Sequence, residues 1–224
     1  MTTVAIIGAS RGIGFEFVRQ YRDAGARVIA TARSDDALKK LEAEGAQAHR
    51  LDVLDAPAIA KLGKSLAGEK IDVLIGNAGV MGIRTQGIAP TAPEDFDVVM
   101  RTNVLAAMHI IPAFAEAVVA AHGKIAFVSS QMGALSAIDR SGSWLYRASK
   151  GGLNVIVKVA SVELGPKGVS CFAFHPGWVQ TDMGGPTAPV PLIASVEGMR
   201  KTIASADQNA NGVFFNYDGQ VLGW

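Results

Sequence analysis

Tyr146 and Lys150 are the residues whose types and spacing could most directly carry chemistry. They stand four positions apart in the segment WLYRASKGG, so on a helix both side chains would lie on one face. A tyrosine with a pKa near 10 is a poor acid–base catalyst at pH 7, but a nearby ammonium group favours the phenolate and lowers that pKa. The pair therefore indicates proton transfer at a substrate oxygen, although the same spacing also arises by chance on helices.

Two serines stand upstream of this pair. Ser129 and Ser130 close the apolar run GKIAFVSS, which is typical of a buried strand. A hydroxyl at a strand end can hydrogen-bond a substrate oxygen while Tyr146 protonates it. We favour Ser130 over Ser129, because a strand that ends at residue 129 points residue 130 out of the sheet edge.

A glycine-rich turn follows the first apolar run of the chain. Its sequence, GASRGIG at residues 8–14, leads directly into a helical pattern. Gly8 permits a tight turn, Gly12 lets main-chain amides approach a pyrophosphate, and Gly14 allows close packing of helix on strand. A helix N-terminus there adds partial positive charge. The turn predicts dinucleotide binding; a turn that is glycine-rich without a ligand is the alternative.

Two arginines favour NADP(H) over NAD(H). An NAD site places a carboxylate after the second strand, whereas this chain has Arg33 there, with Arg11 in the glycine turn. Guanidinium groups pair bidentately with phosphate oxygens, as the 2′-phosphate of NADP requires. After the third strand, Asp52 and Val53 could contact adenine, or Asp52 could cap the following helix.

The same turn also permits a different function. GASRG fits the G-x-S-x-G turn of serine hydrolases, in which Ser10 would be the nucleophile. That turn belongs in the middle of a sheet with earlier strands beside it, and Ser10 follows the first strand of the chain. We therefore keep the hydrolase only as a lesser alternative.

Seven apolar, β-rich runs alternate with helical patterns and supply the elements that must position these residues. This alternation predicts an α/β fold, a single-domain doubly wound (Rossmann) parallel sheet of seven strands with helices on both faces. Ligands of such sheets lie outside the carboxyl ends of the strands, where the motifs above stand. The predicted strands are residues 4–7, 27–32, 46–51, 71–75, 123–129, 168–174 and 212–217.

Composition limits the other classes of function. The 224 residues are 49% apolar and 18% charged, which favours one domain over residues 1–224. A formal charge of +1 provides no field for nucleic acid, and no stretch without Asp, Glu, Lys or Arg exceeds 14 residues. One cysteine and four scattered histidines predict neither a disulfide nor a metal site. We expect a cytoplasmic protein that binds neither nucleic acid nor a membrane.

Together these motifs resemble the short-chain dehydrogenase/reductase family. Within it, the runs HPGWVQTDMGGP and FFNYDGQVLGW are similar to those of C-factor-like and sniffer-like carbonyl reductases. Two positions depart from the family pattern, Ile7 in place of a threonine and Gly76 in place of an asparagine. The residues that carry the resemblance are Gly8, Gly12, Gly14, Asn77, Ala78, Gly79, Asn103, Ser130, Tyr146, Lys150, Pro176 and Gly177.

The resemblance implies a role for each catalytic residue. Tyr146 would be the general acid/base, and Lys150 would lower its pKa and hold the nicotinamide ribose. Ser130 would orient the carbonyl group, and Asn103 would keep a water molecule in the proton relay. The implied cofactor-binding set is Gly8, Ser10, Arg11, Gly12, Ile13, Gly14, Arg33, Asp52, Val53, Asn77, Ala78, Gly79, Tyr146, Lys150, Pro176, Val179 and Thr181.

Two segments outside the motifs also carry expectations. Residues 182–195 contain glycines and prolines that exclude a helix of any length, which predicts a short lid over the substrate. The helix after Tyr146 has a second apolar stripe opposite the one that can face the sheet, which predicts a homodimer or homotetramer. That second stripe consists of Val155, Val159 and Val162.

These observations predict an NADP(H)-dependent oxidoreductase. It would move hydride between the nicotinamide ring and a carbonyl or alcohol substrate of low molecular weight. An NADP(H)-binding sensor or signalling protein, in which turnover is incidental, is the alternative from another class.

Overall fold

The computed structural model describes residues 1–224, which form one sheet with helices on both faces. The strand order is β3-β2-β1-β4-β5-β6-β7-β8. The strands are β1 (Thr3–Ile7), β2 (Arg27–Ala32), β3 (Gln47–Arg50), β4 (Val73–Gly76), β5 (Lys124–Val128), β6 (Ser170–His175), β7 (Phe214–Asn216) and β8 (Val221–Leu222). The helices are α1 (Gly12–Asp23), α2 (Asp35–Ala43), α3 (Ala56–Ser65), α4 (Pro93–Met100), α5 (Ala106–Val119), α6 (Trp144–Leu164) and α7 (Leu192–Ser205).

The doubly wound α/β prediction is confirmed, with a correction to the strand count. The first seven strands pair in parallel, but β8 adds an eighth that runs antiparallel to β7. A turn at Gly219, with φ of +89°, reverses the chain between them. Two residues in β8 are too few to give a readable hydrophobic pattern, which is why the sequence did not reveal this strand.

Burial on both faces explains why the strands are apolar at consecutive positions. In β1, Ala5 and Ile7 face a core layer formed with α3, α5 and α6. Val4 and Ile6 face the opposite layer, which α1, α2 and α7 cover. The central strands are therefore covered on both faces, whereas the edge strands β3 and β8 are partly exposed.

One helical run passes a test for membrane spans. Pro93–Val119 has a mean hydropathy of 1.5 over its most apolar window, of which 44% is buried. The run includes a π-helical turn at Arg101–Leu105, and the side chains of Ile110 and Phe114 belong to the core. Core helices of compact domains pass the same test, so this helix is weak support for a membrane span.

The segment predicted as a lid begins as turns and ends as helix. After β6 the chain forms a parallel bridge between Val179 and Val190, and α7 begins at Leu192. Residues 192–195 are thus the first turn of a helix, contrary to the expectation that no helix would form there. Pro191 stands just before this turn, where its missing N–H costs no hydrogen bond.

Candidate active site

The glycine turn joins β1 to α1 at the carboxyl edge of the sheet. Gly8 and Gly12 have φ values of +90° and +54°, in the left-handed region that favours glycine. A Cβ on Gly8 would lie 2.7 Å from the main-chain nitrogen of Ala78. On Gly14 it would lie 2.2 Å from the carbonyl oxygen of Gly8, which is the close packing of helix on strand that the sequence predicted.

The N-terminus of α1 is arranged to receive an anion. Arg11 precedes the helix in extended conformation, no side chain caps the helix, and its first turn has no acidic residue. The first amides of α1 are therefore free, and the helix dipole adds partial positive charge at this point.

A cleft of about 340 Å³ opens over this turn. It contains fifteen of the seventeen predicted cofactor-binding residues; Gly14 packs beneath the turn, and Val179 lies in the neighbouring cavity. Those fifteen are Gly8, Ser10, Arg11, Gly12, Ile13, Arg33, Asp52, Val53, Asn77, Ala78, Gly79, Tyr146, Lys150, Pro176 and Thr181.

The two arginines differ in their partners. Arg11 donates from Nη1 to Asp182 at 2.7 Å, which ties the glycine turn to the lid segment through an exposed ion pair. Arg33 has no carboxylate partner, and its carbonyl oxygen accepts from Arg50. Arg33 is therefore the guanidinium that a 2′-phosphate can reach without breaking an ion pair.

Asp52 is not the cap of the next helix. Its Oδ1 accepts from the amide of Leu54 at 3.0 Å, whereas Asp55 caps α3 by accepting from Ala58. The carboxylate of Asp52 stays at the wall of the cleft, where the contact to adenine was predicted.

The two departures from the family pattern have local compensations. The side chain of Ile7 cannot form a hydrogen bond to the glycine turn. The hydroxyl of Thr31 supplies one by accepting from the amide of Gly8 at 3.0 Å. A Cβ on Gly76 would lie 2.2 Å from the ring of Phe127, so this position has no room for a side chain. Asn77 then supplies the polar contact by donating from Nδ2 to the carbonyl oxygen of Gly8 at 2.7 Å.

Tyr146 and Lys150 lie on one face of the first turns of α6, as their spacing predicted. Both side chains are buried, and the Nζ of Lys150 lies 5.9 Å from the centre of the Tyr146 ring. Within the protein, Nζ donates to the carbonyl oxygen of Val128 alone, at 3.0 Å. A lysine ammonium has three N–H donors, so two remain for a ligand in the cleft.

Burial sets the pKa values of this pair. It raises the pKa of Tyr146 to about 12, against smaller opposing effects of Ser130 and of the positive charge of Arg84. It lowers the pKa of Lys150 to about 8, because the buried ammonium group is no longer hydrated. The lowered pKa expected for Tyr146 is therefore not found in the protein alone, and the proposed effect of Lys150 on it stays untested.

The two candidate serines are used differently. Ser129 donates to Oδ1 of Asn154 at 2.5 Å, which turns its hydroxyl into the protein. Ser130 accepts from the amide of Met132 at 3.1 Å, and its hydroxyl hydrogen-bonds toward Tyr146, so it lies beside the proposed proton donor. The role of Ser130 toward a substrate stays a prediction.

Asn103 lies at the π-helical turn between α4 and α5 and lines neither cavity. Its side chain accepts from the amide of Val80 and donates to the carbonyl oxygen of Val80 and to the hydroxyl of Ser149. Both N–H donors are thus occupied by the protein. A Cβ on Gly79 would lie 3.3 Å from both Oδ1 of Asn103 and Nζ of Lys150. Asn103 therefore fixes the wall beside Lys150, and its predicted water stays untested.

A second cavity, of about 550 Å³, adjoins the cleft and shares Tyr146 with it. Ser130 and Val179 line this second cavity, which we call the substrate cavity. Met183 and Gly184, in the segment predicted as a lid, also line it, and their carbonyl oxygens accept hydrogen bonds from Arg84 and Trp178, respectively. The Tyr146 phenol thus stands in the wall that the glycine-turn cleft shares with the second cavity.

Comparison with known proteins agrees with this geometry. The family model for short chain dehydrogenases matches residues 2–189. The chain belongs to the short-chain dehydrogenase family. The C-signal protein of Myxococcus xanthus is 37% identical over 155 residues, which are 69% of this chain and 93% of that protein.

Solved structures extend the likeness of this short-chain dehydrogenase to its whole length. The carbonyl reductase Sniffer of D. melanogaster has a TM-score of 0.94 at 27% identity, with 100% of both chains covered. A carbonyl reductase from Pseudomonas aeruginosa PAO1, solved in complex with NADP, has a TM-score of 0.88 at 33% identity, again with 100% of both chains covered. The resemblance to the sniffer-like and C-factor-like branch is thereby confirmed.

The sequence missed several residues of this short-chain dehydrogenase that line the two spaces. The cleft walls contributed by Leu51, Val80 and Val98 are apolar and carry no chemical signature. In the substrate cavity, His175 ends β6, and its position at the carboxyl edge could have identified it. Burial lowers the pKa of His175 to about 4, and its Nδ1 has no hydrogen-bond partner.

No group of three His, Cys, Asp or Glu side chains is placed to hold a metal ion.

Proposed function

We propose that this short-chain dehydrogenase is an NADP(H)-dependent oxidoreductase that interconverts a carbonyl compound and its alcohol. The observation that carries the proposal is the position of Tyr146, in the wall common to the glycine-turn cleft and the substrate cavity. A proton donor at that junction can act on a substrate oxygen whose carbon faces the cofactor.

The residues of the cleft fit a dinucleotide with a 2′-phosphate. The free amides of the glycine turn would bind the pyrophosphate, and the two open donors of Lys150 would bind ribose hydroxyls. Arg33 would hold the 2′-phosphate, and Arg11 would join it when Asp182 is displaced. The carbonyl reductase of P. aeruginosa, which was solved with NADP, supports this choice of cofactor.

The cofactor supplies or accepts hydride at its nicotinamide ring, and the protein moves the proton. In reduction, Tyr146 donates its proton to the carbonyl oxygen, while the hydroxyl of Ser130 hydrogen-bonds the same oxygen. The raised pKa of Tyr146 keeps the phenol protonated at neutral pH, as a proton donor requires. The Lys150 ammonium then stabilises the phenolate that remains.

A cofactor titration followed by a carbonyl panel tests this function. Protein fluorescence should be quenched by NADPH at concentrations at least about tenfold below those needed for NADH, since only NADPH engages the arginine. Arg33→Ala should remove most of that difference, and Lys39→Ala, in the exposed face of α2, should leave it unchanged. Aldehydes and ketones should then be reduced with NADPH. A preference for NADH would contradict the role of the arginines.

The signalling alternative is favoured by one observation, the 37% identity with a protein named C-signal. In that case binding of NADP(H) would matter and turnover would not. The hydrolase alternative has less support, because the cleft that Ser10 lines contains no histidine to act as its base.

We also propose a homodimer or homotetramer formed through α6. The three valines of its outer stripe are 63%, 61% and 71% exposed, which is unusual for adjacent apolar side chains on one helix. The lid function of residues 182–195 and a location in the cytoplasm remain predictions from the sequence.

A further inference from the structure

The substrate cavity contains more positive charge than a neutral carbonyl compound needs. Three arginines and one carboxylate line it. Arg140 pairs with that carboxylate, Asp139, at 3.2 Å, so these two charges largely cancel. Arg84 and Arg147 remain. The charge of Arg147 acts weakly on Asp139, but neither arginine forms an ion pair, so the cavity keeps a net positive charge.

The hydrogen bonds of these two arginines go to carbonyl oxygens and not to carboxylates. Arg84 donates from Nη2 to the carbonyl oxygen of Met183 at 2.7 Å, and Arg147 donates from Nε to that of Gly142 at 2.9 Å. Carbonyl oxygens orient a guanidinium but do not neutralise it. Each guanidinium has five N–H donors, so each retains donors that can face a ligand.

Both arginines lie close to the proposed proton donor. Arg147 follows Tyr146 in the first turn of α6, and the positive charge of Arg84 acts on the Tyr146 hydroxyl. The rest of the wall includes Met81 and Met132, whose apolar side chains strengthen charge interactions nearby.

We propose that the substrate carries an oxyanion group, a carboxylate or a phosphate, which Arg84 and Arg147 bind while its carbonyl group meets Tyr146. Planar guanidinium groups bind both kinds of oxyanion through paired hydrogen bonds. The inference rests on the proposed oxidoreductase function for the same site and adds the substrate class. Arg84 and Arg147 would then determine specificity without taking part in proton transfer.

Paired aldehydes that differ in charge test the proposal. We would measure kcat/KM with NADPH for 4-carboxybenzaldehyde, 4-formylphenyl phosphate and the neutral methyl 4-formylbenzoate. At least one anionic aldehyde should exceed the ester by about tenfold or more, since hydrogen bonds between a guanidinium and an oxyanion are stronger than those to a neutral ester. That ratio should fall toward 1 in Arg84→Gln and Arg147→Gln, and Arg84→Lys should restore part of it. Arg19→Gln, on the exposed face of α1 outside both cavities, is the matched control and should keep the ratio.

A binding measurement separates this proposal from the proposed reaction. Saturation-transfer NMR on the protein alone should detect benzoate binding more tightly than benzamide, and Arg84→Gln should remove the difference. If no aldehyde is reduced but benzoate still binds selectively, the oxidoreductase proposal fails and the anion site stands. If the three aldehydes are reduced equally well and benzoate binds no better than benzamide, the anion site is overturned and the reaction stands.

Discussion

At Tyr146 three influences set the pKa, and the largest opposes the other two. Burial favours the neutral phenol and raises the pKa to about 12, whereas the hydrogen bond of Ser130 and the positive charge of Arg84 favour the phenolate. The side chain is thus protonated at neutral pH, as reduction requires. In the oxidation direction the same residue must lose its proton before it can accept one from an alcohol.

His175 leads to a prediction on stability against acid. In the folded protein it stays neutral down to about pH 4, whereas an unfolded histidine takes up a proton below about pH 6.5. Between these values protons bind the unfolded chain preferentially, so the free energy of unfolding falls as the pH falls. Allowing for its partial contact with solvent, we expect this histidine to contribute roughly 2 kcal/mol of the loss between pH 7 and pH 4.5.

Urea unfolding of the wild-type protein and of His175→Asn at the two pH values measures this contribution. The variant should lose less stability on acidification than the wild type, whatever its stability at pH 7. Parallel losses in the two proteins would show that His175 does not titrate as its buried position requires.

The candidate site divides into residues that the sequence could identify and residues that it could not. Ser130, Tyr146 and Lys150 were identifiable because their types are reactive and their spacing follows from a strand end and a helical turn. Arg84 was not, because it lies in an irregular loop whose path depends on its contact with Met183 in a distant part of the chain. Such a contact has no local pattern.

At the scale of elements, the approach of α1 to β1 fixes the shape of the cofactor cleft. A Cβ on Gly14 would meet the carbonyl oxygen of Gly8 at 2.2 Å, and a Cβ on Gly63 would meet that of Ala113 at 2.3 Å. Gly63 lies where α3 packs against α5, outside the cleft. A larger side chain there would also overpack the protein, so Gly63→Ala is a matched control.

Gly14→Ala and Gly63→Ala should each lower the free energy of unfolding by about 2 kcal/mol, as judged by urea titration. Only Gly14→Ala should also weaken NADPH binding, by about tenfold or more, because it displaces the turn that would hold the pyrophosphate. Equal NADPH affinities in the two variants would show that the glycine turn does not take part in cofactor binding.

Element boundaries were less predictable than element types. The parallel strands were recognisable because strands buried on both faces are apolar at consecutive positions. The antiparallel β8 was missed because its two residues, Val221 and Leu222, become a strand only by pairing with β7. The helix at Leu192 was missed because Pro191 was interpreted as a break, whereas it immediately precedes the first turn.

For the whole molecule, the exposed face of α6 predicts self-association. Val159→Glu would place a charge in the centre of the proposed interface and should convert the protein into a monomer in sedimentation experiments. The wild type should have two or four times the mass of the 23.4 kDa chain. Ile193→Glu on α7, at a side chain that is 60% exposed, should leave the mass unchanged. A wild-type protein that sediments as a monomer would contradict the interface.

The proposed reaction depends on proton transfer by Tyr146 at the junction of the two cavities. The most direct test is the rate of NADPH oxidation in a single turnover by Tyr146→Phe, with the aldehyde that the wild type reduces best. We expect a rate at least about 1,000-fold below that of the wild type, with NADPH affinity changed by less than about twofold. A near-normal rate in Tyr146→Phe would contradict the assignment of Tyr146 as the proton donor.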